Sequence, residues 1–307
     1  MSNELDFVFV ILHYNTVDDT NICVESIRKH ICLNSYKIII VDNASPNKSG
    51  DVLVKRYFAS DDVLVILNDS NLGFARGNNV GFKYAKKVFK AKFIVLMNND
   101  TQILYDDFVL KINDEYNKSH CALIGPKIIT PNPPFDSNPG SSDLPRIRDL
   151  FINQIIIYIY MVLSYFNLDD FVHRKFGRQE KKRLDKVDKN IDERKENVKL
   201  HGCFWVFTPN YISKFDGINS KTFLYNEEPL LFLRCIKYNL KTVYLPELVV
   251  FHKEDSSTNS INFKGEVFKR RFVYKHLIKS KWILIAESLK YKFYTLHKIV
   301  NLWNYQY

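Results

Sequence analysis

The chain has 307 residues, enough for one large α/β domain or two modest ones, and at 46% hydrophobic it can bury a sizeable core. A net charge of +10 and a pI near 9.1 call for an anionic partner: a nucleotide-linked substrate, nucleic acid or an acidic membrane. Cys23, Cys32, Cys121, Cys203 and Cys235 are scattered and never spaced CxxC, which argues against a disulfide framework or a zinc module and for a reducing compartment.

The start, Met1 to Phe7, is acidic and lacks the basic and apolar regions of a secretory leader, so a cytoplasmic protein is expected. Phe7–Leu12 is an apolar run ending at His13-Tyr14-Asn15, and Asp18-Asp19-Thr20 can cap the helix that follows. Tyr36–Val41 predicts a second buried strand, closing at Asp42-Asn43. Residues 51–58 are helical in pattern, Val63–Leu67 predicts a third strand, and 80–89 a second full helix. Phe93–Met97 is a fourth strand that stops abruptly at Asn98-Asn99-Asp100. This alternation predicts a mostly parallel sheet with right-handed crossovers, in which Asn15, Asp42 and Asp100 gather at one edge. Ligands bind beyond such strand ends, and a lone carboxylate beside amides suits a hard divalent cation carrying a phosphorylated ligand. Taken alone, the same residues also read as an Asx turn.

Beyond Asp100, a helix is expected over 106–116, a strand over 121–129, loop over 131–145, strands over 201–208, 241–245 and 248–251, and a helix over 227–238. The stretch from Asn71 to Gly81 carries glycines at 73, 77 and 81 ahead of a helix, which favours close approach of an anion, with Arg76 in reach of a diphosphate; a plain glycine-rich surface loop has the same pattern. Glu227 and Glu228 open a helix, either as simple dipole-stabilised caps or with one as a general base for an acceptor hydroxyl. His252, at a strand end, is either a structural histidine or a group that completes a metal site or steadies a leaving diphosphate.

Taken together, Val10 to Asn15, Val41 to Ser45, Asn71 to Gly81, Leu96 to Asp100, Tyr225 to Glu228 and Pro246 to His252 resemble inverting glycosyltransferases of family 2. More narrowly, they are similar to bacterial rhamnosyl- and galactosyltransferase-like members of capsule and O-antigen synthesis. The resemblance implies the GT-A fold, a Rossmann-like, mostly parallel sheet flanked by helices, with a C-terminal helical extension. It covers a nucleotide-sugar half (1–130) and an acceptor half (200–258), while 131–199 reads as an insertion on the acceptor or membrane side and 259–307 as a basic aromatic tail. Asp42 would read the base and Asn98 lie near the ribose, with Asn15, Asn43, Asn71, Gly73, Arg76, Gly77, Asn78 and Asn99 completing the donor site. Asp100 and His252 would hold Mn2+ or Mg2+, and Glu228, with Glu227 beside it, would be the base. The partners implied are a UDP- or dTDP-sugar, a polyprenyl-diphosphate-linked saccharide and the anionic inner face of the plasma membrane, with a homodimer admitted. The chain departs from the family pattern at Asn98, which stands in the first position of the DxD-like motif, and at Glu227-Glu228-Pro229, where one acidic residue is lost. That degraded acidic block gives the alternative of a non-catalytic or regulatory partner in a polysaccharide assembly complex.

Three segments fall outside the resemblance. Leu150–Leu168 is uncharged and as a helix would span roughly 28 Å; it reads as a helix on the membrane surface, a buried core helix or a span. A span would put Asp100 and Glu228 on opposite sides of the bilayer. Residues 174–199 mix both charges and predict a solvated helix or loop, placed to act as a lid. The tail interleaves Lys and Arg with aromatics, as suits an anionic membrane, and equally a helical pair on the catalytic domain. It carries no nucleic-acid recognition motif.

Overall fold

The computed structural model describes residues 5–33, 35–131, 138–172, 191–254 and 265–304. Four apolar segments form the parallel half of one sheet: β1 (Phe7–His13), β2 (Tyr36–Asp42), β3 (Val63–Leu67) and β4 (Phe93–Asn98), in the order β3-β2-β1-β4. Helices α1 (Val17–His30), α2 (Ser49–Tyr57) and α3 (Gly73–Lys87) make the crossovers. The strands are near-continuous Val, Ile and Phe because both faces are covered. Phe7, Phe9 and Ile11 of β1 pack with α1 residues Cys23, Val24 and Ile27, while Val8 and Val10 pack with Phe82 and Ala85 of α3. Strand periodicity thus places one core on each side of the sheet.

The chain continues through β5 (Thr101–Ile103), α4 (Phe108–Ser119), β6 (Leu123–Ile129), α5 (Ile147–Tyr165), β7 (Lys195–Glu196) and β8 (Phe204–Phe207). A short helix α6 (Pro209–Ile212), then α7 (Glu227–Lys237), β9 (Thr242–His252) and α8 (Glu266–Asn304) complete it. These strands extend the sheet as β4-β8-β6-β9-β5, with β7 on β9. β8 runs antiparallel to both β4 and β6, and β5 antiparallel to β9. The parallel expectation therefore describes the N-terminal half, and the C-terminal half is mixed.

Three expected boundaries move. The helix expected from Val80 begins at Gly73, because the small residues Ala75, Gly77 and Gly81 let its first turns lie close on the sheet. The two strands expected at 241–245 and 248–251 are one strand, β9, interrupted by a register shift: Pro126 pairs with Leu245 and the next residue, Lys127, with Val249. Pro246 cannot donate to a ladder, so a bulge absorbs it without ending the strand. The tail is one 39-residue helix, not a pair.

Helix α5 is not a core helix. Among its residues only Leu150, Gln154 and Ser164 are buried, and 17% of its most apolar window is covered. It packs on α8 through Leu150, which meets Leu284 and Ile285, through the pairs Phe151–Trp282 and Tyr160–Tyr274, and through polar contacts: Gln154 Nε2 donates to Ile278 O at 3.2 Å and Arg271 Nη2 to Ser164 O at 2.7 Å. Just beyond its C-terminus, the buried Asp169 accepts from Arg270 Nε at 2.7 Å. Ile152, Ile155, Ile159, Val162 and Phe166 face solvent. The charged segment read as a lid falls largely on residues 173–190, outside the described residues.

A Cβ at Gly81 would overlap Val10 Cγ1 and lie 3.1 Å from Val41 Cγ2 in the middle of the sheet. Alanine gains about 1 kcal/mol of helix propensity, while overpacking a dense core costs about 1–3 kcal/mol. Gly81→Ala is therefore expected to lower stability by roughly 1 kcal/mol or more, read as a lower urea midpoint at unchanged slope.

Candidate active site

The polar groups sit where β1, β2 and β4 stop side by side. Pairing of His13 with Asp42 puts Asn15 and the 42–45 turn together: Asn43 N donates to His13 O at 3.0 Å and Asn15 N to Ser45 Oγ at 2.9 Å. The buried Asp42 carboxylate accepts from Ser45 N at 3.2 Å and from Ser45 Oγ. Behind it lies a buried histidine that sequence reasoning passed over. His13 Nδ1 meets Thr20 Oγ1 at 2.7 Å and its Nε2 meets Ser49 Oγ at 2.8 Å. Burial outweighs the nearby Asp42 and lowers the His13 pKa to about 4, so it serves as a neutral strut.

Asp100 follows β4 directly, and β5 then pairs antiparallel with β9, placing Thr101 opposite His252. Lys253 N donates to Asp100 O at 3.0 Å, and Lys253 Nζ reaches Asp19 Oδ1 at 2.8 Å, fixing the end of β9. The result is Asp100 Oδ1 and His252 Nε2 3.1 Å apart, both buried and neither with a hydrogen-bond partner. Two neighbouring ligands on one divalent cation at about 2.1 Å stand about 3 Å apart. An anionic oxygen and an imidazole nitrogen at that spacing, left unsatisfied, fit a Mn2+ or Mg2+ ion. Among the described residues no third His, Cys, Asp or Glu joins them, so the remaining positions would be filled by substrate and water.

Glu227 and Glu228 begin α7 after two left-handed residues, Tyr225 (φ 73°) and Asn226 (φ 64°). Such backbone is sparsely populated by residues other than glycine and persists only when its surroundings enforce it. Here Asn226 Nδ2 donates to Ser280 Oγ of α8 at 2.8 Å, and Phe223 stacks on His276 at 4.7 Å. The two acids part ways. Glu227 is buried, and burial followed by the charge of Glu228 pushes its pKa from 4.5 up to about 7. Glu228 lines a cavity of about 240 Å³ with Lys199, Leu200, His201 and Pro229. Its carboxylate lies over Gly202, where a Cβ would stand 2.8 Å from Glu228 Oε1. Electrostatics favours Glu227 as a base at neutral pH, but a base must first reach the proton it takes. Access favours Glu228. His201 was not singled out from the sequence: its one signal is a histidine and a glycine directly before a buried aromatic strand.

Several expected donor-site residues make hydrogen bonds within the protein itself, and the 71–81 stretch forms the turn into α3 and its first two turns. The first turn of α3 is closed by Phe223 O, which accepts from Phe74 N at 2.7 Å, and by Asn71 Oδ1, which accepts from Gly73 N at 2.9 Å. Gly73 has φ 77°, and a Cβ there would overlap Phe223 O. Gly77 makes room for Leu12. Asn43 Nδ2 donates to Asn71 Oδ1 at 3.0 Å and Asn43 Oδ1 accepts from Leu72 N at 2.9 Å, so this pair holds the turn into α3. Asn78 donates to Phe74 O within α3, and the exposed Arg76 donates through Nε to Ser220 O at 2.9 Å. Asn99 is a buried clamp whose Nδ2 donates to Thr16 Oγ1 at 2.7 Å and Thr20 Oγ1 at 3.0 Å. Asn98, by contrast, stays partly exposed at the end of β4.

The family model described as glycosyl transferase family 2 matches residues 8–182. The low-salt glycan biosynthesis hexosyltransferase Agl10 of Haloferax volcanii is 21% identical over 124 residues, 40% of this chain and 37% of that protein. Among solved structures, S. aureus TarS 1–349 superposes with TM-score 0.52 at 13% identity, covering 94% of this chain and 72% of that one. GalNAc-T7 with UDP, GalNAc and Mn2+ gives TM-score 0.56 at 13% identity over 84% of this chain and 45% of its own. The chain thus spans 37% of the length of Agl10 and, likewise, 37% of the longer TarS structure. These likenesses show the GT-A fold. His201, Glu228 and His252 lie beyond the span of the family model and within the fold likeness.

A carboxyl whose pKa is raised on folding is stabilised below its unfolded value, and that contribution is lost as pH climbs through the folded one. For Glu227 the loss runs from about pH 4.5 to about 7. Glu227→Gln is expected to melt above wild type at about pH 8, by at most about 3 kcal/mol, and to converge with it near pH 5 in paired thermal melts.

Proposed function

Since the chain belongs to glycosyl transferase family 2, we propose that it is a metal-dependent inverting glycosyltransferase. It moves a sugar from a UDP- or dTDP-sugar to a polyprenyl-diphosphate-linked saccharide at the inner face of the plasma membrane, in bacterial capsular polysaccharide synthesis. The observation that carries this reading is the unsatisfied Asp100–His252 pair set beside a cavity that holds Glu228. TarS structures with UDP and with UDP-GlcNAc, and the GalNAc-T7 structure with UDP and Mn2+, support a UDP-sugar donor.

Asp100 and His252 would hold the cation, which supplies positive charge against the negative charge developing on the departing diphosphate. Glu228 accepts the acceptor hydroxyl's proton as that oxygen bonds the anomeric carbon. The carbon–oxygen bond to the diphosphate breaks in the same displacement, its electron pair leaving on the phosphate oxygen and the centre inverting. Glu227, buried behind Glu228, shapes the helix start; Asp42 and Asn15 face the nucleotide from the ends of β1 and β2.

The lipid-linked acceptor and the membrane location rest on α5. Its polar residues Gln154 and Ser164 point inward while its isoleucines face out, the reverse of a helix that meets water. The basic Arg146 and Arg148 at its start suit anionic headgroups.

In calorimetry, Mn2+ should strengthen UDP binding to wild type and fail to do so for Asp100→Ala and His252→Ala. Glu228→Gln should keep that binding yet lose transfer by at least about 10²-fold. Full transfer by Asp100→Ala would remove the metal role. For the membrane, Ile155→Asp combined with Ile159→Asp should leave the melting temperature in place and abolish co-sedimentation with anionic liposomes; undiminished sedimentation would refute the α5 contact.

A further inference from the structure

His201 stands between the two halves of the site with no assigned task. Three contacts pin the turn that carries it. His201 N donates to Asn138 Oδ1 at 3.0 Å, and the same buried amide donates through Nδ2 to Pro126 O at 2.7 Å. Trp205 Nε1 donates to Leu200 O at 3.2 Å, and Asn98 N donates to Cys203 O at 2.9 Å, bolting the turn to the end of β4. The ring itself is oriented: Cys203 N donates to His201 Nδ1 at 3.2 Å. Nδ1 is therefore unprotonated and Nε2 carries the hydrogen, which has no partner among the described residues.

The ring centroid is 6.0 Å from that of His252, yet the cavity it lines holds Glu228 and neither Asp100 nor His252. His201 shares that cavity with Glu228, and its Nε2–H is assigned to an acceptor bound there. A carboxylate and an N–H donor side by side, with Leu200 and Pro229 as the apolar wall, match two adjacent hydroxyls on a sugar ring. One hydroxyl gives its proton to Glu228; the oxygen of its neighbour accepts from His201. We propose that His201 is an acceptor-specificity residue that selects a sugar with a free hydroxyl beside the one attacked. His201 keeps its proton throughout, so the atoms of the transfer balance without it.

This assignment rests on Glu228 as the base. The test measures transfer from a UDP-sugar to an octyl hexoside and to the deoxy analogue lacking the neighbouring hydroxyl. His201→Phe should lower kcat/KM on the parent glycoside about 10- to 100-fold. Wild type should lose a similar factor on the deoxy analogue, and variant and analogue combined should lose no more. His201→Gln, which can place an amide N–H near the same point, should recover part of the loss. Melting temperature and Mn2+-dependent UDP binding of His201→Phe should match wild type. Additive losses, no loss, or octyl glycosides that leave wild-type donor turnover untouched would overturn the proposal. An active Glu228→Gln overturns the parent reading instead, whereas an inactive Glu228→Gln with additive His201 losses overturns only this one.

Discussion

The site depends on the antiparallel pairing of a three-residue strand, β5, with the end of β9. Parallel strands bring polar groups to one edge, but they cannot make the chain return to the same carboxylate. The β5–β9 ladder does this, and the bulge opposite Pro126 and Lys127 lets one long strand pair with both β6 and β5. Without the return, Asp100 would be a lone buried carboxylate, which is costly unless it meets a partner or a cation. The pairing brings His252 Nε2 to 3.1 Å from Asp100 Oδ1 and leaves both atoms without a hydrogen-bond partner.

A second layer of polar contacts holds this geometry from behind. Thr20 Oγ1 is shared by Asn99, which locks the turn after β4, and by the neutral His13, which braces the Asp42 side through Ser49. The turn after β4 and the Asp42 turn after β2 thus draw on one hydroxyl of α1. Both hydroxyls can donate or accept, so the two contacts hold whichever ring nitrogen of the neutral His13 carries the hydrogen. Deep burial is what keeps it neutral.

The parallel half of the sheet was legible because its strands are short apolar runs that end in Asn or Asp, and helix period separates them. Asp100, Glu228 and His252 were legible as chemical types at strand and helix ends. Less was visible where the same residue type serves two purposes. Glycines at 73, 77 and 81 look alike in sequence, and only the structure shows that Gly77 and Gly81 admit Leu12 and Val10 of the sheet while Gly73 admits Phe223. Asn43, Asn71 and Asn99 are amides that hydrogen-bond the protein as readily as a sugar. His201 was hidden because its meaning comes from Asn138 and Cys203, partners that no local pattern marks. The inward polarity of α5 was likewise hidden, since composition reports that a helix is apolar and not which way it faces.

Helix α8 has a consequence for how the molecule can be divided. Ser280 holds Asn226, His276 stacks on Phe223, and Leu284 and Ile285 pack with Leu230 and Leu150 in a small core of their own. Phe223 in turn closes the first turn of α3. The tail is therefore a brace for the loop that aims Glu228, not a detachable anchor. A chain cut after residue 258 would lose the support of the turn that carries Glu227 and Glu228 together with any membrane contact, and its silence in an assay could not tell one loss from the other.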